Sequence, residues 1–224
     1  MASKIYVVRH AESAHNVSKN FNLRDPGLTE LGLAQSVDLA TSFPALSSVA
    51  VVLASPLSRT IETTLAGFGV IIDKRHVGSD LGEDGGAKLI LDPGLQERSD
   101  LPCDTGSDVA TLKSKYPDLN LTGLKTEWYV KEGEFTADDA AVEARARALR
   151  RKLKAIVDEL GQGGDNAQHQ GKRDIVVVTH GVFIKFLVQD ETIDLPKAGW
   201  RAYTIQEGDG DDVSLRVVAD DSTT

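Results

Sequence analysis

Cysteine is almost missing. Cys103 stands alone, so no disulfide can form within the chain, and a reducing, cytoplasmic setting is the expectation. The residue itself reads as a small structural group or a free thiol, because the sequence shows no helix start or fixed basic partner beside it. Long apolar runs are missing too. None approaches the roughly 20 residues of a membrane span, and the amino terminus, MASKIYVV, enters a strand-like run without the long apolar segment of a signal peptide. A soluble protein with no membrane partner is expected. Positive charge is the minority: 25 Lys and Arg face 34 Asp and Glu, for a formal net charge of −9. That balance argues against nucleic acid as a partner. It also makes single arginines informative, since an acidic chain that binds an anion must place its few cations where they count.

What is present is organised around VVRHAESAHN, Val7 to Asn16. The apolar run Ile5 to Val8 predicts a buried strand that stops abruptly at Arg9 and His10. Reactive side chains at a strand's carboxyl end are where ligands bind in an open α/β sheet. The arrangement recurs where Ile175 to Val178 run into Thr179, His180 and Gly181, so two strands each deliver a histidine. Between them, a helix is predicted from about Leu28 to Phe43, with Thr29 as cap and Glu30 in the first turn. Val49 to Ala54 reads as a second buried strand. After Pro56 a helix carries Leu57, Ile61, Leu65 and Phe68 on one face, with Arg59 in its first turn on another, free to point into the crevice. Val70 to Ile72 is expected as a third, short strand.

From Gly78 to about Phe135 the periodicity degrades, and only Ser107 to Tyr116 looks helical. This segment is expected to be an insertion, a lid over the crevice or a structural excursion, within a single domain spanning residues 1–224. Thr136 with Asp139 resembles a capping box for a helix whose stripe is Val142, Ala146, Leu149, Leu153, Ile156 and Leu160. The basic residues Arg147, Arg150, Arg151, Lys152 and Lys154 on its other faces read as a solvated surface, with acidic flanks and no interleaved aromatics. Gly161 to Arg173, with His169, is expected to be a surface loop. Two strands, Arg201 to Gln206 and Val213 to Val218, close the sheet as a hairpin.

The residues left to explain are Arg9, His10, Asn16, Arg59, Glu97 and His180. RHAESAHN resembles the RHGE-type signature of the histidine phosphatase superfamily, the phosphoglycerate mutase-like family. DPGLTELGLAQ, SPLSRTIETT and VVTHG are similar to three further elements of that family, in its order. Ala11 stands where the family usually has glycine. The resemblance implies a three-layer α/β/α sandwich with a mostly parallel central sheet and a lid over the strand ends. It also implies a phosphohistidine at His10, His180 stabilising the transferring group, phosphate held by Arg9, Asn16, Arg59 and His180, and a glutamate acid at the position of Glu97.

The side-chain chemistry agrees. Phosphoryl transfer needs an in-line nucleophile and fixed positive charge around the equatorial oxygens. Neutral imidazole is nucleophilic without a metal, and guanidinium forks match phosphate oxygens. Two histidines and a carboxylate could instead ligate zinc, but Arg9 and Arg59 would repel a divalent cation; no metal and no cofactor are expected. The leaving alkoxide requires a proton from a carboxyl group held protonated. Glu97 is the first candidate, with Asp100 and Asp104 close enough to compete. The expected activity is hydrolysis of a small phosphorylated metabolite, because the insertion is acidic and lacks the basic segment of the glycolytic mutases. The alternatives are a mutase-type phosphotransferase, and a repurposed member that binds or isomerises an anionic metabolite. Either a monomer or a homodimer is compatible with the sequence.

Overall fold

The computed structural model describes residues 2–162, 171–210 and 212–219. Six strands form one sheet: β1 (Ile5–Arg9), β2 (Val49–Ala54), β3 (Lys88–Leu91), β4 (Asp174–Thr179), β5 (Trp200–Glu207) and β6 (Val213–Val217). Their order across the sheet is β3-β2-β4-β1-β5-β6. The β3–β2, β2–β4 and β4–β1 pairs are parallel, and the closing β1–β5 and β5–β6 pairs are antiparallel. The helices are α1 (Ala14–Ser18), α2 (Glu30–Ser42), α3 (Ser58–Phe68), α4 (Lys74–Val77), α5 (Val109–Lys115), α6 (Asp139–Gln162) and α7 (Gly181–Val188).

Alternation along the strands creates two separate cores. Tyr6, Val8, Val52, Val176 and Val178 face one side, where they meet Leu39 and Phe43 at α2 and Ile61 and Phe68 of α3. Ile5, Val7, Leu53, Ile175 and Val177 face the other and meet α6 and α7 through Val142, Leu149, Phe183 and Leu187. The result is a sandwich of helices, a mostly parallel sheet, and helices. All six residues of β2 and all six of β4 are buried. Strands covered on both faces must be continuously apolar, so these two read clearly in the sequence.

Four expectations need correction. Val70 to Ile72 is not a strand: Gly69–Ile71 is a single 3-10 turn, Val70 is exposed, and Ile72 makes one isolated bridge to Ala87. The edge strand is β3, inside the segment expected to be a lid; four residues after a glycine-rich stretch leave little periodicity to see. At the start of α6, the cap is Asp138, whose Oδ1 accepts from the Ala141 amide at 3.0 Å, rather than Thr136. The basic face of α6 is not wholly solvated either. Arg150 is 1% exposed; it donates to the carbonyls of Val213 and Phe186 and pairs with Glu143 at 2.8 Å. It ties α6 to α7 and β6. The loop holding His169 lies outside the described residues.

Candidate active site

The carboxyl ends of β2, β4 and β1 lie side by side, and the chain leaves them as Ser55, His180 and His10. Pairing of Arg9 with Thr179 sets the two histidines level, and their ring centroids are 5.2 Å apart. Both rings are buried. His10 Nδ1 lies 2.7 Å from the Ala11 carbonyl oxygen. A carbonyl only accepts, so Nδ1 carries the proton and Nε2 keeps its lone pair. Arg59 Nε donates to that Nε2 at 3.3 Å. Ala11 is fully buried, and its amide donates to Thr63 Oγ1 at 3.0 Å; its carbonyl, rather than its side chain, orients His10.

His180 Nε2 lies 2.9 Å from Ser55 Oγ, and its Nδ1 has no hydrogen-bond partner among the described residues. Burial first, then the Arg59 guanidinium, pushes the pKa of both histidines well below the usual imidazole value. Both imidazoles are therefore neutral at pH 7.

Arg59 reaches the pocket as the short loop after β2 turns into α3. It is 1% exposed, and it donates through Nη1 to the Cys103 carbonyl at 2.6 Å and through Nη2 to Asp104 Oδ1 at 2.7 Å. Arg9, at the end of β1, pairs with Asp194 at 2.8 Å and donates to the Leu195 carbonyl. Asn16 Oδ1 accepts from the Ser13 amide at 3.2 Å, and its Nδ2 donates to His15 Nε2 at 3.0 Å. Burial and Arg59 lower the His15 pKa to about 4. The Glu12 carboxylate accepts from the Thr29 hydroxyl at 2.7 Å, which fixes the start of α2.

Glu97 lies against the first turn of α7. Its carboxylate accepts from the amides of Val182 at 3.1 Å and Phe183 at 3.0 Å. Burial, and next the nearby Asp104 charge, outweigh these bonds and raise its pKa. Of the competing acids, Asp100 is exposed, and Asp104 is held by Arg59 and by the Ser99 hydroxyl at 2.6 Å. Arg9, His10, Asn16, Arg59 and Glu97 all line one cavity of about 490 Å³; His180 does not line it but is fully buried beside His10.

Sequence reasoning missed several groups here. Ser55 sits inside a recognised element, yet its bond to His180 needs the β2–β4 pairing to be known. Lys185 and Lys197 also line the cavity, and neither stands in a motif or stripe. Trp128 is 2% exposed and packs against Gly106, so it serves the core of the 78–135 segment. His15, Cys103 and Asp104 hold donor atoms within 4.8 Å of one another, the nearest thing to a metal cluster among the described residues. They make a poor cation trap. Asp104 is already paired with Arg59, and burial pushes the Cys103 thiol up to about 11, away from the thiolate a metal requires.

Parallel strand ends carrying paired neutral histidines between two guanidinium groups belong to an α/β enzyme that handles anions. The family follows from comparison: the model of the histidine phosphatase superfamily (branch 1) matches residues 5–218, and the chain belongs to that superfamily. Within it, the chain is similar to proteins named as phosphatases. A probable phosphatase of Schizosaccharomyces pombe is 29% identical over 195 residues, covering 83% of this chain and 79% of that protein. Solved structures show the same fold at lower identity. A mycobacterial glucosyl-3-phosphoglycerate phosphatase complexed with VO3 is 20% identical, with a TM-score of 0.56 over 96% of this chain and 97% of the other. The ecdysone phosphate phosphatase of Bombix mori, in complex with tungstate, is 17% identical with a TM-score of 0.60, covering 97% and 92%. Among the described residues no helix is long and apolar enough to cross a membrane.

Proposed function

We propose that the protein is a metal-independent phosphomonoesterase that hydrolyses a small phosphorylated metabolite through a phosphohistidine at His10. One observation carries the reading: the Nδ1 bond to the Ala11 carbonyl leaves the His10 Nε2 lone pair facing Arg59 Nε, in a cavity open to ligand. An incoming phosphate draws Arg59 Nε and Arg9 onto its oxygens and frees Nε2 for attack on phosphorus. The new N–P bond forms as the P–O bond to the alcohol breaks, and the Glu97 carboxyl gives its proton to the departing alkoxide. Asn16 supplies a neutral donor at the rim. His180 faces Ser55 through Nε2, and its Nδ1, unpartnered among the described residues, is the atom left to contact the transferring group. Water deprotonated by Glu97 then attacks phosphorus, the N–P bond breaks, and inorganic phosphate leaves. A cytoplasmic setting fits the lone, buried Cys103. The reading requires no second copy of the chain.

The test is phosphate release over a panel of phosphomonoesters, p-nitrophenyl phosphate included, with His10→Ala as control. Turnover should fall by at least about 10³-fold in the variant. An acid-labile, alkali-stable phosphoryl label should appear on wild type only. Efficient interconversion of 3- and 2-phosphoglycerate with traces of the bisphosphate would point to a mutase instead. No hydrolysis across the panel, and no label, would leave the repurposed binder or isomerase.

A further inference from the structure

The charges lining the cavity are unevenly partnered. Arg9 is paired with Asp194 and Arg59 with Asp104. Lys185 and Lys197 line the same space, and neither side-chain ammonium has a hydrogen-bond or ion-pair partner among the described residues; both are only partly exposed. Burying an ammonium without a partner costs free energy unless a ligand supplies the counter-charge. For Lys197 the cost is visible, since burial and the neighbouring Arg9 and Arg59 charges lower its pKa to about 8.

The segment that presents Lys197 is fixed in place. The Arg9 amide donates to the Gly199 carbonyl at 2.9 Å, Gly199 returns to the Pro196 carbonyl at 2.9 Å, and the Ala198 amide reaches the His10 carbonyl at 3.4 Å. Ala198 is held at φ 59°, a left-handed conformation that is strained for a residue with a Cβ. Such strain persists where the surroundings over-determine it, as at binding sites. Lys197 is thus tied through its own backbone to the residues that carry the reactive histidine. The space, about 490 Å³, is also larger than the transferred group requires.

We propose that Lys185 and Lys197 form a second anion subsite, so that the preferred substrate is a phosphomonoester whose alcohol portion carries a further negative group, a carboxylate or a second phosphate. This rests on the phosphomonoesterase reading above. Lysine suits the task because a compact charge on a flexible stem serves either anion without demanding bidentate geometry. The subsite also overturns the simplest inference from composition: although the 78–135 segment is acidic, this part of the cavity is basic.

The experiment compares kcat/KM for three substrates with the same three-carbon frame: glycerol 3-phosphate, 3-phosphoglycerate and propane-1,3-diol bisphosphate. They add, in turn, nothing, a carboxylate and a second phosphate. Wild type should prefer one of the two charged probes over glycerol 3-phosphate by about tenfold or more, chiefly through KM. The better probe identifies the natural anion. Lys197→Met should shrink the preference to about twofold or less, Lys185→Met should weaken it, and Lys197→Arg should keep most of it. Equal wild-type kcat/KM for all three overturns the subsite, and does so even if a methionine variant fails to fold. A preference untouched in both methionine variants overturns it too. Failure of wild type on these probes and on p-nitrophenyl phosphate alike would instead overturn the phosphomonoesterase reading itself.

Discussion

His10 and Glu97 are shifted in opposite directions, and their opposition sets the expected pH dependence. The imidazole must be neutral to attack, and its lowered pKa keeps it so well below the usual 6.5. The carboxyl must be protonated to serve the leaving group, and its raised pKa keeps it so above the usual 4.5. A plot of kcat/KM, which reports the free enzyme, should therefore be bell-shaped with its optimum on the acid side of neutrality. The acid limb belongs to His10 and the alkaline limb to Glu97. Glu97→Gln should lower kcat by about 10²- to 10⁴-fold and flatten the alkaline limb, while vanadate still binds. Unchanged turnover would transfer the acid role to Asp104, which lines the cavity where Asp100 does not. At this scale the sequence was legible where a residue type already names its chemistry, as with the two histidines and two arginines. It was silent about Lys197 and Ser55, whose relevance comes only from what the sheet places beside them.

Elements meet at this site with little clearance, and two glycines measure it. A Cβ at Gly32, in the first turn of α2, would come far inside van der Waals contact with the Glu12 carbonyl oxygen. Backbone cannot give way there, so Gly32→Ala should destabilise the fold by about 1–3 kcal/mol or more and reduce soluble yield. A Cβ at Gly181 would instead lie 2.9 to 3.0 Å from the Arg9 guanidinium, a group that can move. Gly181→Ala should therefore fold with a near-normal urea midpoint yet lose about tenfold in kcat/KM, as Arg9 is pushed off its anchors. A matched loss of stability in both variants would contradict this distinction. Elements with strong patterns, β1, β2, β4, α2, α3 and α6, were readable because burial on one or both faces imposes a period. The edge strand β3 was hidden because its apolar run, Leu89 to Leu91, is only three residues long and follows a glycine-rich stretch, too short to show a period. Arg150 misled for the opposite reason: charge in a helix usually means solvent, but here carbonyls of α7 and β6 surround it.

Across the whole molecule, the α/β/α order was legible because strands and helices alternate along the chain, and four ordered motifs tie that order to a family. The 97–104 segment was less so. Its position over the cavity depends on contacts such as Cys103 amide to Phe21 carbonyl at 3.1 Å, which join stretches with no shared pattern. The pairing of β1 with β4 has a consequence in time. Arg9 and Thr179 are register partners 170 positions apart, and a contact of such sequence separation forms slowly because a long loop must close before it is rewarded. The helices are local and can form early; the two imidazoles become neighbours only when these strands dock. Recovery of activity is thus a clock for one late event. After dilution from urea, far-UV circular dichroism should return first and phosphate release last. Coincident traces would mean that the strands pair as early as the helices wind.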